Sequence, residues 1–174
     1  VTAERPLYER DPDAWRAHLA EGNAKQARKR VSGDLLMRDG GGNILLVDPV
    51  YKPGWDLPGG MAEANESPLT ATLREISEEL GFTASAGRML CVDWVPPHGP
   101  WDDLLAFIFD GGTLNKAQIS SLRLADGELR AFEFCDEREA RGRLRPRAWR
   151  RAAAALEALV TGNVLYLQDG HPVS

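Results

Sequence analysis

The spacing of apolar and polar residues changes period several times along the chain, and each change marks an element. Residues 31–38 and 44–50 are apolar runs flanking Asp39-Gly40-Gly41-Gly42-Asn43, a pairing that predicts a β-hairpin. Residues 89–95 and 104–109 predict two more strands, separated by a rigid Pro96-Pro97-His98-Gly99-Pro100 loop. Residues 128–135 alternate as a strand does, and 164–167 predict a short late strand. Asp11-Pro12-Asp13 reads as an N-cap followed by a first-turn proline. It predicts a helix running to Arg30, with Trp15, Leu19 and Ala27 facing inward. Lys25, Arg28, Lys29 and Arg30 form a basic end that complements a helix C-terminus. Ser67-Pro68 starts a second helix that Gly81 stops, and 147–160 is an Ala/Leu-rich third. Residues 53–60 hold too much Gly and Pro for regular structure, and the stretch between 110 and 127 resists assignment. With no repeat, low-complexity block or linker, the pattern predicts one α/β domain over 1–174, with 1–30 as an N-terminal helical extension.

Composition narrows the picture. A chain of 174 residues can build a substantial core without disulfides. The formal charge of −5 argues against a generic nucleic-acid or anionic-membrane binder, which would carry a basic surface. Cys91 and Cys135 sit in apolar stretches without CxxC spacing and read as buried free thiols of a reducing compartment. No apolar run is long enough to span a bilayer and no N-terminal signal pattern is present, so the expected location is cytoplasmic.

The second helix carries the chemistry. Glu75, Glu78 and Glu79 are related by i, i+3 and i+4 and share one helix face. Three crowded carboxylates repel one another unless a positive charge lies between them, and a hard cation such as Mg²⁺ or Mn²⁺ prefers such oxygen ligands. Leu69, Leu73, Ile76 and Leu80 supply an apolar stripe on another side. Taken alone, the three glutamates equally describe a solvated acidic helix.

The whole segment decides between these readings. Gly60, Glu66, Arg74, Glu75, Ile76, Glu78, Glu79, Gly81 and Phe82 fill every fixed position of Gly-x5-Glu-x7-Arg-Glu-U-x-Glu-Glu-x-Gly-U, where U is bulky and apolar. Average residue usage puts a chance match on the order of 10⁻⁷ or less. This is the Nudix box, and Trp55-x-Leu57-Pro58-Gly59-Gly60 resembles the family's lead-in to it. The chain thus resembles the Nudix (MutT-like) hydrolases. The resemblance implies an α/β/α sandwich with a mixed β-sheet and a loop-helix-loop. It implies that Glu75, Glu78 and Glu79, with the Gly59 carbonyl, ligate Mg²⁺ or Mn²⁺. It also implies that Arg74 orients the carboxylates and that Glu66 braces the loop against the helix. Asp102, Asp103, Glu128 and Glu133 are candidates for a further acid, each also readable as an ordinary surface or capping residue.

The implied reaction is hydrolysis of a pyrophosphate linkage in a small nucleoside-diphosphate-linked molecule. Pro97 lies fifteen residues beyond Phe82, where ADP-ribose pyrophosphatases of this family tend to carry a proline, which points to ADP-ribose or a nucleotide sugar. A MutT-type nucleoside triphosphate pyrophosphohydrolase is the alternative, and a non-catalytic ligand-sensing Nudix domain, a class that usually shows a broken box, is the other. Trp55 and Trp101 could stack on a base, although the lead-in position of Trp55 also suits packing. His98 could contact phosphate or lie idle on its loop. Nucleic acid and membrane are not expected partners, and a homodimer is left open.

Overall fold

Segments of period two become strands and segments of period 3.6 become helices in the computed structural model, which describes residues 5–125 and 127–173. Its elements run in the order α1 (Leu7–Arg10), α2 (Pro12–Lys25), β1 (Arg30–Arg38), β2 (Ile44–Pro49), β3 (Gly59–Met61), α3 (Pro68–Leu80), β4 (Met89–Val95), β5 (Leu104–Thr113), α4 (Lys116–Ser121), β6 (Leu129–Cys135), α5 (Glu137–Arg143), α6 (Pro146–Thr161), β7 (Leu165–Gln168) and β8 (His171–Pro172). The expected hairpin forms because Asp39 organises its loop. Its Oδ1 accepts from the backbone N–H groups of Gly41 (2.8 Å) and Asn43 (2.9 Å), and Gly42 takes a φ of +85°.

The strands form one mixed sheet in the order β6-β2-β1-β5-β4-β7-β8, with β3 paired to β1. β1 runs parallel to β5 and β4 parallel to β7, while the other pairs are antiparallel. Alternation along the central strands splits the core in two. Leu35 and Met37 of β1 and Leu45 and Val47 of β2 join Ile76 and Leu80 of α3 on one face. Leu36, Ile44 and Leu46 turn to the other, against Ala152 and Ala155 of α6. A sheet covered by helices on both faces is the expected α/β/α sandwich. Leu46 is fully buried, so truncating it to Ala would cost about 2–5 kcal/mol.

Several expectations need correction. α2 ends at Lys25, not Arg30; Arg30 opens β1, and Lys29 pairs with Asp103. No residue of α2 is buried: Leu19 is 51% exposed, and Trp15 is half-buried and stacks on His18; Ala27 lies beyond the helix and is exposed. The first four residues of the expected extension lie outside the described residues. Gly59–Met61 pairs as β3, although this Gly-rich stretch reads as loop, because it docks on β1. β5 continues to Thr113. The apolar stripe of α3 is shifted: Leu69 is exposed and Leu73 half-buried, while Ala71, Thr72, Ile76 and Leu80 are buried. Both α4 and α5 open with capping boxes, Asn115/Gln118 and Asp136/Glu139, signals that were present in the sequence. Among the described residues no helix is long and apolar enough to cross a membrane.

Candidate active site

Three glycines bring the site together. A Cβ on Gly33 would lie 2.1 Å from Thr72 Oγ1 and 2.6 Å from the Pro68 carbonyl oxygen, so glycine lets α3 settle on β1. A Cβ on Gly59, whose φ is +142°, would lie 2.2 Å from the Gly33 carbonyl oxygen. One on Gly60 would strike the Glu75 carboxyl carbon at 2.4 Å. Side chains at these positions would push β3 away from β1 and Glu75 away from the backbone of β3.

Arg74 then gathers the carboxylates around it. Its Nε donates to Glu66 Oε1 (3.1 Å), and its Nη2 donates to Glu66 Oε2 (3.0 Å) and to the Met61 carbonyl (3.1 Å). Its Nη1 donates to Glu75 Oε1 (3.0 Å) and Glu78 Oε2 (2.9 Å). Glu66 Oε2 also accepts from the Glu63 backbone N–H (2.9 Å), which ties loop to helix. The Arg74 hydrogen bonds hold the Glu66 carboxyl below its ordinary pKa, and Glu66 foremost raises that of Arg74. Burial pushes Glu75 up, with Arg74 opposing and Glu78 and Glu128 adding to the rise.

The three glutamates do not stand equally in solvent. Glu79 is 4% exposed and Glu75 is half-buried, whereas the Glu78 side chain is 53% exposed and drawn to Arg74. Among the described residues, no three His, Cys, Asp or Glu side chains converge as a ready-made chelate. The guanidinium of Arg74 supplies the intervening positive charge.

A cleft of about 770 Å³ opens beside this cluster, a size suited to a small ligand. Gly59, Gly60, Glu75, Glu79 and Glu128 contribute its acidic set. Lys52, from the loop after β2, Arg145, the N-cap of α6, and Arg147 and Arg151 within α6 contribute a second, basic set, with Asp56 beside them. Asp56 is paired with Lys52 (2.6 Å) and Arg145 (3.6 Å). Asp34 lies on the same face of β1 as Leu36, the face covered by α6, and lines the cleft with Ser32. Burial raises the Asp34 pKa to about 7 against the opposing pull of Arg151. At the mouth, His98 and Trp101 exchange backbone hydrogen bonds of 3.0 Å in each direction across a tight turn. The Arg30 guanidinium sits 4.5 Å from the ring centre of Trp101.

The structure therefore sorts the residues singled out in the sequence. Gly59, Glu75, Glu79, Glu128 and Trp101 all line the cleft, and Arg74 and Glu66 stand directly behind Glu75. Trp55 packs against the core under the Arg143 guanidinium, at 4.6 Å, and is not part of the lining. Pro97 is exposed and leads into the His98–Trp101 turn without lining the cleft itself. Asp103 pairs with Lys29 and accepts from Trp94 Nε1 (2.8 Å), Asp102 is exposed, and Glu133 pairs with Arg143. Sequence reasoning missed Asp34, Asp56 and the arginines of α6. For Asp34, a charged residue directly before the apolar run Leu35-Leu36-Met37 was the available signal.

The chain belongs to the NUDIX domain family, whose profile matches residues 28–159, more than half of the sequence. A Bacillus subtilis (strain 168) protein provisionally named an 8-oxo-dGTP diphosphatase is 45% identical over 49 residues, which is 28% of this chain and 33% of that protein. The fold is shared with a UDP-X diphosphatase (TM-score 0.68, 20% identity, 88% of this chain and 74% of that one). It is shared also with a MutT protein of Methanosarcina mazei Go1 (TM-score 0.62, 22% identity, 79% and 99%). An ADP-ribose pyrophosphatase of Streptococcus suis 89-1591 is similar too (TM-score 0.57, 18% identity, 81% and 99%).

Proposed function

We propose that this Nudix hydrolase cleaves the pyrophosphate linkage of a nucleoside-diphosphate-linked substrate, ADP-ribose or a nucleotide sugar, with Mg²⁺ or Mn²⁺ as cofactor. The observation that carries the reading is one cleft in which carboxylates, Glu79 buried and Glu75 half-buried, meet a set of arginines and a lysine. An anionic anhydride needs cations to be held, and carboxylates to hold a metal and take a proton.

The donor set fits a hard divalent cation. Glu75, Glu79 and the Gly59 carbonyl offer oxygen alone, and the space beside Gly60 that a Cβ would fill keeps backbone and Glu75 close together. Glu78 would join them by leaving Arg74. Such a cation, when bound, screens the phosphates and acidifies a water. Arg74, fixed from behind by Glu66, holds the orientation of Glu75. Lys52, Arg145 and Arg147 bind the outer phosphate oxygens as point charges and forks. The water's proton passes to a carboxylate of the cleft, with Glu75, Glu79 and Glu128 the candidates. Trp101 offers a ring at the mouth for stacking.

A MutT-type triphosphate reading is favoured by one observation, the partial match to the Bacillus subtilis protein. Products separate the two. ADP-ribose would give AMP and ribose 5-phosphate, whereas a nucleoside triphosphate would give pyrophosphate and a monophosphate. A panel of both substrate types with Mg²⁺ and Mn²⁺ tests the proposal, and catalytic efficiency for every nucleotide sugar well below that for the best triphosphate would overturn the first reading.

A further inference from the structure

The floor of the cleft holds a charged chain that the catalytic glutamates do not use. Asp93 on β4 is fully buried, on the α6 face of the sheet with Cys91. Both its oxygens are engaged: Oδ2 accepts from Arg151 Nε (3.0 Å) and Oδ1 from the Gly170 backbone N–H (2.9 Å). Arg151 is thereby held by one edge of its fork, and its side chain is only 13% exposed. Its Nη1 lies 3.8 Å from Asp34 Oδ2, too far for a hydrogen bond, and both residues line the cleft. A buried guanidinium with N–H groups to spare thus stands beside a carboxyl group with oxygens to spare.

Charge decides what such a pair can take. Asp93 already matches Arg151, and Asp34 adds no positive charge, so the trio offers no surplus with which to hold a phosphate. The complementary ligand is an uncharged planar edge with a donor beside an acceptor, which a nucleobase presents. We propose that Arg151 and Asp34 read the base edge of the substrate, with Asp93 as the positioning residue that fixes the Arg151 fork. This deepens the functional reading above and rests on its nucleotide substrate. It assigns the base to the floor formed by β1 and α6, and leaves the phosphates to the acidic set and the outer cations. Leaving either member unmatched by the wrong base costs the desolvation of a partly buried polar group, which is how such a site discriminates.

The test reads binding, so it does not depend on turnover. Calorimetric titration of the full chain with AMP, GMP, CMP and UMP, without metal, should show one base preferred by about tenfold or more. Arg151→Lys keeps a charge for Asp93 but loses the fork, and Asp34→Asn keeps the size of the carboxylate. Each should shrink the spread among the four to under about threefold, with melting curves confirming a folded chain. With any substrate that turns over, Arg151→Lys should raise KM for the favoured base about tenfold while kcat changes far less. Absence of hydrolysis across the panel would refute the catalytic reading yet leave the binding ranking measurable. Wild type binding none of the four, or all of them equally, overturns the base-reading pair. So does a ranking that survives Asp34→Asn, the variant that leaves the Asp93–Arg151 pair whole should Arg151→Lys fail to fold.

Discussion

The charged clusters around Arg74 and around Arg151 are built in opposite ways. Glu66, Arg74, Glu75, Glu78 and Glu79 come from one loop and one helix, and the Arg74 guanidinium, 26% exposed, ties three of the carboxylates, Glu66, Glu75 and Glu78, together. Arg151, Asp93 and Asp34 come from α6, β4 and β1, and meet only after the sheet has formed. In the first set the carboxylates outnumber the cation, so repulsion remains for a metal to relieve. In the second the fully buried Asp93 is matched by Arg151, and Asp34 stands 3.8 Å from the same guanidinium. The difference teaches that the first cluster keeps an excess of negative charge, as the proposed metal site requires, whereas the second pairs a fully buried carboxylate with one guanidinium.

Removing a charge should therefore have opposite consequences. Glu79→Gln should lower turnover by about 10²–10⁴-fold in steady-state assays. Its melting temperature should stay level or rise, because one of the crowded carboxylates is gone. A collapse in stability would place Glu79 in the fold and not in the chemistry. Arg74→Ala should reduce turnover by about 10–100-fold and metal affinity by less, measured by kinetics beside calorimetry. Metal binding abolished in a folded Arg74→Ala chain would contradict an orienting role. Asp93→Ala should destabilise by about 3–5 kcal/mol in denaturant titration, since it strands Arg151 without its fully buried partner. A loss below about 1 kcal/mol would mean that the pair is not the structural unit described, against the usual cost of breaking one.

The smallest effect concerns the strap between α2 and β1. Hydrogen bonds from Lys29 and then Trp94 hold the Asp103 carboxyl below its ordinary pKa. A depressed acid contributes stability above its unfolded pKa and loses that contribution as pH falls through the folded value. Wild type should thus melt above Asp103→Asn at pH 7, with the gap closing in the acid range below the ordinary carboxylate pKa. A gap that is constant with pH would assign the difference to packing alone.

The contrast between the two sets also explains what could be read from the chain. Arg74, Glu75, Glu78 and Glu79 fall at fixed short spacings on α3, and Glu66 lies on the loop just before it. The central strands were legible as apolar runs, and the α/β/α layering came from the family resemblance; in the fold Leu35, Leu36 and Met37 turn to alternate cores. Arg151 was hidden in an Arg-rich helix start where Arg145, Arg147 and Arg150 are equally charged, and only the tertiary fold decides which of them meets Asp93. β3 was unreadable because Gly59 and Gly60 have no strand propensity of their own and pair only through contact with Gly33 and Asp34. The misplaced stripe of α3 has the same origin: glycines on β1 and β3 let the helix bury Ala71 and Thr72 instead of Leu69.

Metal-dependent product release tests the central claim most directly. Wild type and Glu79→Gln should be compared on ADP-ribose, nucleotide sugars and nucleoside triphosphates, with Mg²⁺, Mn²⁺ or excess EDTA. The account predicts cleavage at the pyrophosphate linkage that stops with chelator, returns with either metal, and is lost by orders of magnitude in a fully folded Glu79→Gln chain. Undiminished turnover in excess EDTA, or in Glu79→Gln, would contradict it.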